Sequence, residues 1–217
     1  MSKQNLAIIT VTLIAGLGIV FFAVRNRSST STNISASPMP TPVINVNPNT
    51  LPGIQTSQKT PWDIQISTLR DRLAAIGLPA LQAEGTTLHI HQHIDIFIQG
   101  KFMQIPTGIG INETQFFISP VHTHDTTGVM HVESPVVQTF TLGQFFDIWG
   151  VRLTKDCIGG YCTEGDSKLR LYSNGMEVAS DPRELHLEPH QEIVIAYGIE
   201  KDLPSPIPAQ YTFPEGL

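Results

Sequence analysis

Leu88-His89-Ile90-His91-Gln92-His93-Ile94-Asp95-Ile96-Phe97-Ile98 sets Leu88, Ile90, Ile94, Ile96 and Ile98 on one side and His89, His91, His93, Asp95 and Phe97 on the other. A period of two with β-branched residues predicts a strand with one face in the core. Successive side chains on one strand face stand about 6.5–7 Å apart. Adjacent histidines of the row can therefore share a metal ion, whereas three in a row seldom do. A second cluster follows in Val121-His122-Thr123-His124-Asp125-Thr126-Thr127-Gly128-Val129-Met130-His131. Asp125–Gly128 reads as a turn. A hairpin closed there sets His122 opposite His131 and His124 opposite Val129, with opposed Cβ atoms about 4.5–5.5 Å apart.

His122, His124 and His131 would then form a compact face of three imidazoles, with His91 and His93 completing or neighbouring it. Neutral imidazole nitrogens suit Zn²⁺ or Cu²⁺, and Asp95, Asp125 and Glu133 are candidate outer partners that would orient the rings. The plain alternative is a polar strand face whose histidines bond water, acids or one another. Six of the eight histidines on two short stretches favour the metal site. His186 and His190 lie far along the chain and read as ordinary surface or turn residues.

The remaining sequence frames this centre. The 217 residues suffice for one domain with a real core plus appendages. A net charge of −6 without a long basic run gives no reason to expect a nucleic-acid partner. Leu6–Val24 carries no charge and lies between Lys3 and Arg25, which predicts a transmembrane helix. It is longer than a signal-peptide core and lacks a small-x-small cleavage site, so a retained anchor is expected over residues 1–27, with a cleaved signal as the alternative. Residues 28–60 are rich in Ser, Thr, Asn and Pro, with Lys59 as the sole charge, and read as a tether. A stalk of this kind suits a domain held on the extracytoplasmic side, periplasmic or outer.

Residues 61–203 are expected to form the His-rich domain: α+β, mainly antiparallel, hairpin-rich, with one or two short helices. Thr60-Pro61-Trp62-Asp63 has the marks of a helix start, and Trp62, Ile66, Leu69, Leu73 and Ile76 form an apolar stripe ended by Gly77 and Pro79. Gln99-Gly100 and Asn174-Gly175 read as hairpin turns. Val136–Phe140 is expected to continue as strand, and Glu192–Tyr197 forms the last one. Thr141 and Gln144 make a capping box before Phe145, Phe146, Ile148 and Trp149, and Gly150 ends that helix. Cys157 and Cys162, in a Gly-rich loop, are expected to pair as a disulfide, with copper thiolate ligation as the alternative. Residues 204–217 hold four prolines and are expected to wrap loosely or dangle.

HIHQHIDIFIQGK (89–101), ISPVHTHDTTGVMHVESP (118–135), FTLGQFFDIWG (140–150), CIGGYC (157–162) and LYSNGMEV (171–178) together resemble a family of poorly characterised, N-terminally membrane-anchored proteins of bacteria and archaea. The resemblance covers most of 88–198 and implies an anchored location and a metal site, not a reaction. Two better-known zinc patterns do not fit. Asp125 directly follows His124, and Thr127 stands where the metallo-β-lactamase pattern has its last His. The chain is too short and too hairpin-rich for the barrel of the amidohydrolases. Three expectations for function follow: a zinc- or copper-binding domain, a zinc hydrolase or hydro-lyase using a metal-bound hydroxide, and an interaction module whose His face binds no metal.

Overall fold

A computed structural model describes residues 46–217. Its elements are α1 (Leu69–Ala75), β1 (Leu88–Ile98), β2 (Lys101–Met103), β3 (Ile111–Asn112), β4 (Phe117–Ile118), β5 (Val121–His122), β6 (Val129–Ser134), α2 (Leu142–Trp149), β7 (Cys157–Ile158), β8 (Tyr161–Cys162), β9 (Lys168–Ser173), β10 (Met176–Val178) and β11 (Glu192–Gly198). The main sheet runs β10-β9-β11-β1-β6-β5, with β2 also paired to β1. All its ladders are antiparallel except β1–β11, which is parallel. The class is α+β, mostly antiparallel with two short helices. The parallel pair was not legible beforehand, because it joins strands almost a hundred residues apart.

Local chemistry explains the elements. Gln99 and Gly100 take φ 51° and 77°, and Asn174 and Gly175 take 50° and 77°. Two positive-φ residues match the right-handed twist of flanking strands and close the hairpins β1–β2 and β9–β10. Helix α2 starts on the Thr141–Gln144 capping box and stops at Gly150, φ 80°. Cys157 and Cys162 face each other across β7 and β8 and are disulfide-bonded.

One face of the sheet forms the core. Ile94, Ile96 and Ile98 of β1 meet Val121, Met130, Val132, Ile193 and Ile195 from neighbouring strands, covered by Phe145, Phe146 and Trp149 of α2 and by Leu69 and Leu73 of α1. Each such side chain contributes roughly 1.5–3 kcal/mol on full burial. Arg72 locks the two helices together although it is buried. Its guanidinium donates to the carbonyls of Pro52, Gln65 and Ile148 and to Thr68 Oγ1. Burial lowers its pKa to about 10 against the pull of Asp147 and Asp71.

Three expectations change. Helix α1 begins at Leu69 and not near Thr60. The carbonyls of Asp63 and Gln65 accept from the Gln55 amide and the Arg72 guanidinium, both at 2.7 Å, and a short 3-10 turn over Ile66–Thr68 leads into α1. Val136–Phe140 forms no strand. Ser134 Oγ bonds both Val136 N–H and Val136 O, and this local turn takes the chain off the sheet.

The stretch 46–60, placed in the tether by composition, lies against the body: Leu51 is in the core and Gln55 bridges to Val151. Of the two courses expected for the tail, it takes the wrapping one. Leu203 and Ile207 pack on Tyr172, Val194 and Ala196, on the sheet face opposite the core. The expected membrane helix and residues 28–45 of the tether lie outside the described residues. Among the described residues no helix is long and apolar enough to cross a membrane.

Candidate metal centre

The strand period puts His89 and His91 of β1 on the face turned away from the core, and register then assembles their neighbours. His91 stands opposite His131, and His89 opposite Glu133, across β1 and β6. His122 stands opposite His131 across β5 and β6. His91, His131 and His122 therefore form one row over three strands. His124, just past the end of β5, folds its ring back so that the His122, His124 and His131 centroids lie 4.6–5.4 Å apart. His91 approaches His131 at 4.6 Å and His89 at 4.8 Å.

The nitrogen atoms converge more closely than the rings. His122 Nε2 is 3.1 Å from His124 Nε2, and His89 Nε2 is 3.1 Å from His91 Nε2. Glu133 lies between these pairs. Its Oε1 is 3.2 Å from His89 Nε2 and 3.3 Å from His131 Nδ1, and its Oε2 is 3.9 Å from His122 Nε2. Oε2 is buried and has no hydrogen-bond partner. A buried carboxylate oxygen without a donor is costly unless a cation or proton meets it. Two groups are thus close enough to hold a metal ion: His89, His91, His131 and Glu133, and His122, His124, His131 and Glu133, with donor atoms within 4.8 Å in each.

The surroundings prepare the imidazoles as ligands. His122 Nδ1 lies 3.0 Å from the Ser119 carbonyl. A carbonyl only accepts, so Nδ1 carries the hydrogen and the Nε2 lone pair faces the cluster, the arrangement usual for a metal-bound histidine. Burial, then the neighbouring His124, push the His122 pKa down to about 3. The same causes bring His131 to about 4 and lower His91, for which His89 is the first neighbour. These three rings are neutral at ordinary pH, the state that ligates. Burial, then the carboxylate of Glu84, raise Glu133. The rim is open at the side chains of His89, His124 and Glu84, which are 53%, 41% and 51% exposed.

His93 is placed apart from this cluster. Its Nδ1 bonds Glu192 Oε2 at 2.8 Å and its Nε2 bonds the Thr127 carbonyl at 2.9 Å. Burial would lower its pKa, but the Glu192 hydrogen bond and charge, with help from Asp95 and Thr127, raise it. Both ring nitrogens are thus engaged, by a carboxylate on one side and a carbonyl on the other. His93, Asp95 and Glu192 form a third group by distance alone, and Tyr211 of the tail stacks on the His93 ring at 3.9 Å.

Asp95 accordingly faces His93, 4.0 Å from its Nε2, and not the cluster. Asp125 turns its carboxylate onto the Thr127 N–H at 2.8 Å and shapes the hairpin loop. His190 Nε2 meets the Leu217 carbonyl at 3.1 Å.

Glu84 and Glu192 were not singled out from the sequence. Glu84 reaches His124 Nε2 at 3.4 Å because Gly85 packs directly against the end of β6: a Cβ there would lie 2.1 Å from the Ser134 carbonyl carbon. Glu192 had one signal, a lone acid opening an otherwise apolar strand. Comparison of the chain with family models, curated proteins and solved structures finds no match.

Proposed function

We propose that this protein is a metal-binding domain, taking Zn²⁺ or Cu²⁺ through His122, His124 and His131 with Glu133 beside them, and held by residues 1–27 on the extracytoplasmic face of a membrane. The observation that carries the metal reading is the bare, buried Nε2 of His122, aimed at His124 Nε2 and at the partnerless Glu133 Oε2. The anchoring rests on the uncharged Leu6–Val24 run and on the Cys157–Cys162 disulfide, a bond typical of oxidising compartments.

The test is titration of the metal-stripped, untagged full-length chain with Zn²⁺ and Cu²⁺. Alanine at His122, His124 or His131 should weaken binding by more than the roughly 10–100-fold that loss of an outer partner costs. Alanine at His186 should change nothing. Equal small losses at all eight histidines would mean scattered surface binding and would sink the reading.

The solvent-open rim at His124 and Glu84 favours one further reading, in which a metal-bound water serves hydrolysis or hydration. Ester or carbonate turnover that follows Zn²⁺ content and is lost in His124→Ala would support it. Turnover independent of metal would exclude it.

A further inference from the structure

We infer that the centre holds two divalent ions and not one, with the Glu133 carboxylate spanning them. This rests on the metal-binding reading above and deepens it. An ion with ligand bonds of about 2.0–2.1 Å in tetrahedral geometry places its ligand atoms about 3.3 Å apart. The measured separations fall near that edge length twice, in two places. His89 Nε2, His91 Nε2 and Glu133 Oε1 give 3.1 Å between the rings and 3.2 Å from His89 to the oxygen. His122 Nε2 and His124 Nε2 give 3.1 Å on the other side. Six side chains cannot crowd round one such ion, yet they divide without remainder round two. His122, His124 and His131 hold one, and His89, His91 and Glu133 Oε1 hold the other.

Glu133 is the element that makes the two halves one centre. It sits at the end of β6, in register with His89 and two residues from His131 on the same strand face. Its Oε1 lies 3.2 Å from His89 Nε2 and 3.3 Å from His131 Nδ1, one in each half, and its otherwise unpartnered Oε2 is turned to His122. A carboxylate bridging through its two oxygens fits ions roughly 3.5–4 Å apart, the spacing usual for paired metals. Both halves reach solvent through one exposed histidine each, His89 and His124, so each ion has an entry path and an exposed position that can be altered without disturbing the core.

The experiment is metal stoichiometry of the full-length chain, stripped and reloaded with Zn²⁺, with His89→Ala, His124→Ala and Glu133→Gln beside the wild type. A parallel set loaded with Cu²⁺ is read by electron paramagnetic resonance. Expected are two ions in the wild type, one in each histidine variant, and a magnetically coupled Cu²⁺ pair whose coupling disappears in Glu133→Gln. One ion in the wild type, unchanged in His89→Ala, overturns the two-ion centre and leaves the metal reading standing. Two ions without magnetic coupling overturn the bridge. No bound ion overturns both readings. Circular dichroism of each variant identifies any loss that comes from misfolding, and His89→Ala and His124→Ala alter exposed side chains, so the comparison does not depend on Glu133→Gln.

Discussion

The metal-free domain should lose stability in acid through His122, and the size follows from its environment. His122 is fully buried, and its pKa falls from an ordinary 6.5 to about 3 in the fold. Between those values the unfolded chain binds a proton that the folded one refuses. The contribution is therefore fully present above pH 6.5 and is lost as pH falls toward 3. The slope for one such group is about 1.4 kcal/mol per pH unit. Allowing for half-protonation at the top of the window, the loss between pH 6.5 and 4.5 is about 2 kcal/mol.

His131 and His91, lowered by the same burial, act in the same direction, and other groups act the opposite way. Burial raises the carboxyls of Glu133, Glu192 and Asp147, so acidification just above their ordinary range stabilises the fold. The raised His93 contributes stability that is complete below 6.5 and is lost only above it. The informative quantity is thus a difference between proteins. Urea unfolding of metal-stripped wild type and His122→Asn, at pH 6.5 and 4.5, cancels the shared contributions. Asn keeps a donor for the Ser119 carbonyl. The wild type should lose about 2 kcal/mol more than the variant over that interval. Parallel losses would mean that His122 is solvated, and the bare lone pair at the heart of the site would go with it.

Two further outcomes test the frame around the site. Thr141→Ala removes the hydroxyl that accepts from the Gln144 N–H and should cost about 1 kcal/mol in urea unfolding while leaving metal stoichiometry untouched; an unchanged midpoint would deny the cap its role. Tyr211→Ala removes the ring stacked on His93 and should cost about 1 kcal/mol and speed proteolysis within 203–217; cleavage at the wild-type rate would show that the stack does not hold the tail.

Much of the fold was readable because its signals are local. The alternation of Leu88–Ile98, the Asn174-Gly175 turn and the Thr141–Gln144 box each act within a few residues, and each element appears where that chemistry places it. The His122–His131 register followed from turn length alone. What escaped depends on distant partners. At the expected Thr60 helix start the Asp63 and Gln65 carbonyls bond side chains from outside the stretch, Gln55 and Arg72. Nothing near Glu84 in sequence says that Gly85 will press its backbone onto Ser134. Nor does the tail composition say that Tyr211 will find His93, since stacking is specified by the sheet and not by the prolines around it.

His93 shows why three histidines at one period do not make three equal ligands. It is the last residue of β1 paired to β6 and the first paired to β11. His91 and His89, one and two steps back, have β6 beside them, and β6 supplies His131 and Glu133. At His93 the parallel strand begins, and the residue opposite is Glu192, buried and within 2.8 Å of Nδ1. The hairpin loop that carries His124 brings its Thr127 carbonyl to the other nitrogen. One strand face is thereby divided by its neighbours: two imidazoles that meet each other and Glu133 where β6 runs alongside, then one imidazole with an acceptor at each nitrogen where β11 starts. Beyond Asp95 the face becomes apolar, and Leu203 and Ile207 of the tail pack on it. His93 thus closes the inner end of the cluster with a ring hydrogen-bonded at both nitrogens, and that ring engages the Glu192 carboxylate beside it.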